Sequence, residues 1–264
     1  SVSVSVLYKY SLISDNVAFF DKLYKCGLVT LIVGSLGSDA EACLVFKKRG
    51  KLYFSENDTR THLSRAVNDM EWYNKPIWFG SDRETSCDII KMHAARAFIN
   101  GHAAWWFDMW GGWFADDTYM ALLKDIRKLF EKNSSLPMRS VAQTAVFVDE
   151  ESYALISDTS VTHNVCYDIR EALGKMNAPY DIYLSADAQS VIDRYKAVIS
   201  LVPIETELSM RVKELAEQNN CAFIEITNNN YGITPCELRS FLQSAGVWVY
   251  CERNAVIYAN DRFV

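Results

Sequence analysis

The sequence predicts an α/β protein that runs as two successive series of strand and helix, the second closing into a doubly wound parallel sheet. Three observations predict it. In the C-terminal half, short apolar runs rich in Val, Ile and Phe alternate with stretches whose apolar residues recur at helical spacing. A similar alternation begins earlier, at "GKLYFSEN" (50–57). Between the two series lies "NSSLPMRS" (133–140), a polar, Pro-containing linker that predicts domains at 1–136 and 137–264. Parallel strands need long crossovers, so regular strand–helix alternation implies parallel βαβ units.

In the first series, "SVSVSVLYKYSLI" alternates like a strand, and "VAFFDKLYKCGLVTLIVGSLG" suits a helix followed by a strand. "GKLYFSEN" reads as a strand opened by a glycine. "ETSCDIIKMHAARAFING" (84–101) reads as a helix whose apolar stripe is Ile89, Ile90, His93, Ala94, Ala97 and Phe98, ended by Gly101. "HAAWWFDMW" (102–110) is the next expected strand. "DDTYMALLKDIRKLFEKN" (116–133) is a helix with acids at its start and Lys128 and Lys132 near its end, as the macrodipole favours.

In the second series, strands are expected at 143–150, 180–185, 196–202 and 221–227, with short final strands "VWVYCE" and "AVIYAN". Helices are expected at 162–177, across "ADAQSVIDRY", at 205–220 and at 234–246, the last with Pro235 in its first turn and Gly246 at its end. This order is flavodoxin-like. Such folds often hold nucleotides, yet "VDEESYALIS", which follows the first strand, has no glycine to bring backbone close to a phosphate and carries acids that repel one.

The composition excludes several partners. A net charge of −6 with mixed signs argues against nucleic acid or an anionic membrane, and no apolar run of eighteen residues is present to span one. The start of the chain lacks signal-peptide character. The seven cysteines, Cys26, Cys43, Cys87, Cys166, Cys221, Cys236 and Cys251, are odd in number and form no CxxC pair, which points to a reducing, cytoplasmic setting. Sequons at Asn57 and Asn133 carry little weight there. No histidine spacing matches a zinc site, so neither metal nor cofactor is expected.

Two strand ends carry the candidate chemistry. One is Glu56, followed by Arg60 and His62. The other is "WWFDMWGGW", with Trp105, Trp106, Asp108, Trp110 and Trp113. Sugar rings stack an apolar face on indole, and their hydroxyls need charged acceptors. Retaining glycoside cleavage uses two carboxylates ~5–5.5 Å apart. Each residue also has a structural alternative. Glu56 pairs with Arg60 at the surface, Asp108 caps a turn or the next helix, and Arg60 and His62 hold their loop by hydrogen bonds. Of Trp105 and Trp106, which alternate, at least one is core. Trp110 and Trp113, flanking the glycines, are the stronger stacking candidates.

"GKLYFSENDTRTHL" and "FINGHAAWWFDMWGGWF", followed by "SVAQTAVFVDEESYAL" and "APYDIYLSAD", resemble the later part of bacterial β-galactosidase-like glycoside hydrolases, family 42 and its relatives in the large barrel clan. The resemblance covers about residues 45–264. It implies a partial (β/α)8 TIM barrel at 1–136, with strands seven and eight at about 50–56 and 102–110, and a flavodoxin-like trimerisation domain at 137–264. It implies that Glu56 is the nucleophile, with Trp106 and Trp110 as sugar platform and Asp108, Trp113, Arg60 and His62 around the substrate. The acid/base glutamate of the clan follows barrel strand four, and no matching Asn-Glu pair occurs in this chain. The implied function is therefore the C-terminal portion of a retaining hydrolase of β-galactosides, weak or inactive alone, partnered by carbohydrate and by copies of itself or a missing barrel half. The alternative is a non-catalytic oligomerisation or carbohydrate-binding module.

Overall fold

Two four-stranded, all-parallel sheets organise the described part of the chain. The structure is a computed structural model and describes residues 2–5, 29–35, 52–57, 60–64, 80–108, 111–156, 160–161 and 164–264. The first sheet runs β1 (Val2–Ser5), β2 (Val29–Ser35), β3 (Leu52–Asn57) and β4 (Ala103–Trp106), neighbours in chain order. The helix expected ahead of β2 lies outside the described residues. Between β3 and β4 comes α1 (Arg83–Ile99), and after β4 comes α2 (Asp117–Asn133).

The caps follow from the residue types. Asp82 accepts from the Thr85 amide at 2.7 Å, and Asp116 accepts from the Thr118 amide at 2.8 Å, so each helix begins on an acid that satisfies an orphan donor. Arg83 reaches across to Asp116 at 2.7 Å and ties the two N-termini together. The expected α1 stripe is buried at Ile90, His93, Ala94, Ala97 and Phe98, while Ile89 is only half covered. Gly101 ends the helix at φ 69°, a left-handed turn that costs glycine little. Asn57 and Asn133 are both buried, so neither sequon is presented in the folded chain.

The second sheet contains β5 (Thr144–Val148), β6 (Tyr180–Leu184), β7 (Ala197–Leu201) and β8 (Ala222–Ile226), in the order β6-β5-β7-β8. Its central strands β5 and β7 are buried at every position, which explains their continuous apolar sequence. Val146 and Val148 face one layer, with Ile169, Leu173, Leu238 and Leu242. Ala145 and Phe147 face the other, with Ile192, Val212, Leu215 and Ala216. Period-two alternation thus splits one strand between two cores. The covering elements are α3 (Glu150–Leu155), α4 (Ile169–Lys175), α5 (Glu207–Gln218) and α6 (Pro235–Ser244). Capping boxes at Thr206 and Thr234 start the last two.

Three expectations are corrected here. The helix expected at 162–177 opens as a π-turn at Asn164–Asp168 before α4. "ADAQSVIDRY" forms two 3-10 turns, Ser185–Ser190 and Ile192–Arg194, because Val191 at φ −136° breaks the helical path between them. "VWVYCE" and "AVIYAN" are not strands. In the first, Trp248 donates to the Gln143 side chain at 2.9 Å and Tyr250 to the Asn177 carbonyl at 2.9 Å; in the second, the Ala255 amide donates to the Asn177 side chain at 3.3 Å. The chain then returns to the first series. Asn260 bridges Ser140 and donates to the Ile99 carbonyl at 2.9 Å, and the Phe263 ring meets Phe98 at 5.0 Å. The C-terminal tail is therefore shared between the two sequence-predicted domains.

One buried polar network crosses the second unit. Asp181 accepts from the Ser140 and Tyr195 hydroxyls, both at 2.6 Å, and Tyr195 meets the Tyr183 hydroxyl at 2.8 Å. Burial, and then the Asp181 charge, drive the Tyr195 hydroxyl far above its ordinary pKa, so it stays a donor. Tyr195→Phe removes that donor from a buried carboxylate and is expected to cost about 1–3 kcal/mol. Urea unfolding measures the loss, and an unchanged midpoint would refute the network's contribution.

Candidate saccharide site at the β3–β4 ends

The site is built where β3 and β4 finish side by side. Their ladder pairs Glu56 with Trp105 and Asn57 with Trp106, and it continues one residue further, the Phe107 amide donating to the Asn57 carbonyl at 3.0 Å. Paired positions in a parallel ladder share a face, so 56 and 105 lie on one side of the sheet and 57 and 106 on the other. On its other edge Glu56 is level with Ser35 of β2. The strand expected to run to residue 110 ends at Trp106, which puts Asp108 in the following turn.

That turn explains the glycine pair. Gly111 and Gly112 have φ of 76° and 85°, values strained for any residue with a Cβ. They bring the chain back so that the Trp113 amide donates to Asp108 Oδ2 at 3.1 Å. One Asp108 oxygen thus holds the turn, as its structural alternative required. The indole of Trp113 is only 3% exposed and packs with Ile90, Phe114 and Tyr119. It offers no face to a sugar, which corrects the stacking role expected for it. Trp106 and Phe107 pack against the same cluster, whereas Trp105 stands edge-on to Phe107 at 5.5 Å. Trp110 lies outside the described residues.

The loop after β3 is also internal. Arg60 is 3% exposed, with its guanidinium 5.9 Å from the centre of the Trp113 ring, a cation–π distance. Arg60 is therefore not a surface residue. The Thr61 hydroxyl donates to the Trp113 carbonyl, and the Gly80 amide donates to the Arg60 carbonyl at 3.3 Å. At Gly80 a Cβ would fall 2.7 Å from the Ser86 backbone nitrogen, so only glycine allows this approach. The His62 amide donates to Ser86 Oγ at 3.0 Å, and its Nδ1 meets the Tyr119 hydroxyl at 2.5 Å. His62 thus fastens the loop to α1 and α2, and Arg60 fastens it to Gly80 and the Trp113 turn.

Several polar atoms at the strand ends are left over. Both amide atoms of Asn57, the indole nitrogens of Trp105 and Trp106, and Asp108 Oδ1 are buried without a hydrogen-bond partner among the described residues. Asn57 itself is 0% exposed. In sequence Asn57 stands out only as a sequon and as the last of three polar residues, Ser55, Glu56 and Asn57, that end an apolar strand; burial is what sets it apart. No family model and no curated protein matches this chain.

The second sheet has its own place for a ligand, the crevice where strand order switches between β5 and β7. Asp149 fills it. Its Oδ1 accepts from the Glu151 and Ser152 amides at 3.1 Å each, and its Oδ2 accepts from Thr206 Oγ1 at 2.6 Å. Nearby, burial and the charges of Glu205 and Asp149 push the Glu225 carboxyl up, against the opposing pull of Lys213. An acid-lined crevice with its central carboxylate already bonded does not suit a phosphate. Among the described residues no group of three or more His, Cys, Asp or Glu could hold a metal ion, and no helix is long and apolar enough to cross a membrane.

Proposed function

We propose that the chain is the C-terminal portion of a retaining glycoside hydrolase acting on β-galactosides or related oligosaccharides. One observation carries the reading: β3 and β4 are hydrogen-bonded neighbours, with Glu56 level with Trp105 at their C-terminal ends. In βα barrels that end of the strands is where substrates bind. The chain-order sheet β1-β2-β3-β4 supports a partial (β/α)8 barrel, whose strands neighbour in sequence order. The order β6-β5-β7-β8 supports a flavodoxin-like second domain, in which the first strand lies between the second and third.

In this reading the Glu56 carboxylate attacks the anomeric carbon as the bond to the leaving oxygen breaks, and water then hydrolyses the glycosyl-enzyme. The leaving oxygen takes a proton from a general acid, and the Asn-Glu pair that carries it in the resembled clan does not occur in this sequence. Such a group accounts for about 10²–10⁴ of rate, so the chain alone cleaves weakly or not at all. Trp105 is added to the expected contacts because it shares the register level and face of Glu56. The setting is cytoplasmic, and the partners are carbohydrate with further copies of the chain as a trimer, or a complementary barrel half.

The test is aryl β-galactoside hydrolysis at high enzyme concentration by the natural chain and by Glu56→Gln. Slow release that falls to background in the variant is expected. Equal release from both would refute catalysis at Glu56. A second reading, a non-catalytic oligomerisation or carbohydrate-binding module, is favoured by the burial of Trp113 and Arg60 in structural contacts. Galactose-dependent change in tryptophan fluorescence without hydrolysis would support it.

A further inference from the structure

We infer that residues 259–263 form a clasp over the linker between the two units, closing the Arg139–Ser140 bond to proteolysis and making the units unfold together. The inference does not depend on the saccharide reading. A polar, Pro-containing connection outside helix and sheet is ordinarily where domains hinge and where proteases cut. Here a distant segment takes its backbone. The Arg139 amide donates to Asp261 Oδ1 at 3.0 Å, and the Arg139 carbonyl accepts from the Asp261 amide at 3.0 Å. Ser140 pairs antiparallel with Asn260, and the Pro137 carbonyl accepts from Arg262 Nε at 3.1 Å. On its other side the Ser140 hydroxyl donates to the buried Asp181 of β6 at 2.6 Å.

Asn260 is the centre of the clasp. It is buried, and both ends of its side-chain amide are used. Nδ2 donates to the Ile99 carbonyl at the end of α1 at 2.9 Å and meets Met138 Sδ at 3.3 Å, while Oδ1 accepts from the Arg262 and Phe263 amides at 2.9 Å each. The Phe263 ring then meets Phe98 edge-on, and Phe98 in turn meets Phe130 of α2 at 5.2 Å. A few residues earlier the same stretch is rooted in the second unit. The buried Asn177 donates to the Cys251 and Arg253 carbonyls and accepts from the Ala255 amide, and Arg239 donates to Asn254 Oδ1 at 2.9 Å. The units are thus joined twice, by the covalent linker and by a segment anchored in both. One tether leaves a hinge, and a second bonded along the first removes it. The Arg139 side chain is exposed, so trypsin can reach it. The carbonyl that trypsin must attack is held by Asp261, and cleavage needs that backbone released first.

The test is tryptic cleavage of the whole native chain at Arg139–Ser140, read by mass as fragments 1–139 and 140–264, beside thermal unfolding followed by two probes. Six of the seven tryptophans precede residue 137, so their fluorescence reports the first unit, whereas far-UV circular dichroism reports both. In the natural chain the bond is expected to resist and the probes to share one midpoint. Asn260→Ala is expected to speed cleavage at this bond about tenfold or more and to split the midpoints by about 5 °C. Asp261→Ala loses one side-chain bond to Arg139 and keeps Asn260; it is expected to act in the same direction, about threefold, and it decides the matter if Asn260→Ala does not fold. Thr206→Val weakens the second unit at the opposite end of its sheet and is expected to leave this cleavage unchanged. Rapid cutting or two midpoints in the natural chain would overturn the clasp. So would coincident midpoints with unchanged cleavage in the two clasp variants. Equal acceleration in Thr206→Val would also overturn it, because the cut would then report general loss of stability rather than release of the linker.

Discussion

Asp149→Ala is expected to destabilise the second unit by about 3–4 kcal/mol. Three donors lose one acceptor at once: the amides of Glu151 and Ser152 and the hydroxyl of Thr206. Hydrogen bonds to a charged group contribute about 1.5–3 kcal/mol each, and an N-cap alone contributes about 1 kcal/mol, with overlap between the two. Asp149 is wholly buried, so water does not replace what is lost. Thr206→Val removes one of the three contacts and is expected to cost less than half as much. Urea unfolding followed by circular dichroism gives both values. A loss below about 1 kcal/mol for Asp149→Ala would mean that the crevice does not depend on this carboxylate, and would reopen it as a ligand site.

The second large effect is acid sensitivity through His93. Burial on the inner face of α1, and secondarily the nearby Arg96 charge, push its pKa down to about 3 from an ordinary 6.5. In the folded protein the ring stays neutral, whereas the unfolded chain takes up a proton below about pH 6.5. The stabilising contribution is therefore complete above pH 6.5 and is lost as pH falls from there towards 3. Each pH unit in that window costs about 1.4 kcal/mol, so moving from pH 7.5 to pH 5 removes about 2 kcal/mol. His93→Met keeps the volume and deletes the titration. The wild-type stability difference between the two pH values should shrink by about 2 kcal/mol in the variant. Parallel pH profiles would show that His93 does not titrate on unfolding.

The second half was legible because local and tertiary preferences agree there. The apolar runs at β5 and β7 could be strands or buried helices by periodicity, but their shortness favoured strands, and Pro235 and Gly246 marked the bounds of the last helix. The closing stretches misled for a definite reason. "VWVYCE" and "AVIYAN" have strand composition, yet a ladder needs a free sheet edge, and Asn177 and Gln143 claim their amides first. Between 185 and 194 the chain forms two 3-10 turns, broken at Val191, where a single helix was expected, and composition does not specify that tighter winding.

At the candidate site the residues were legible but their sorting was not. Trp113 and Trp105 have the same chemistry in sequence. Packing made the first core and left the second at the level of Glu56. Arg60 and His62 read as substrate contacts because they follow an acidic strand end. Their loop folds inward onto Ser86, Tyr119 and Trp113, partners 24 to 57 residues away or beyond easy guessing from spacing. Asn57 is polar in any reading, and only burial makes it unusual.

By itself, then, the sequence determined the alternation of strands and helices, their caps, the absence of a glycine phosphate cradle and the gathering of acids and indoles at two strand ends. Those properties are set by residues within a few positions of one another. The tertiary structure alone decided which strands pair, that 56 meets 105 rather than 106, which indoles are covered and which polar atoms stay unbonded. These depend on contacts between distant segments, where register and burial, rather than residue type, assign each side chain its surroundings.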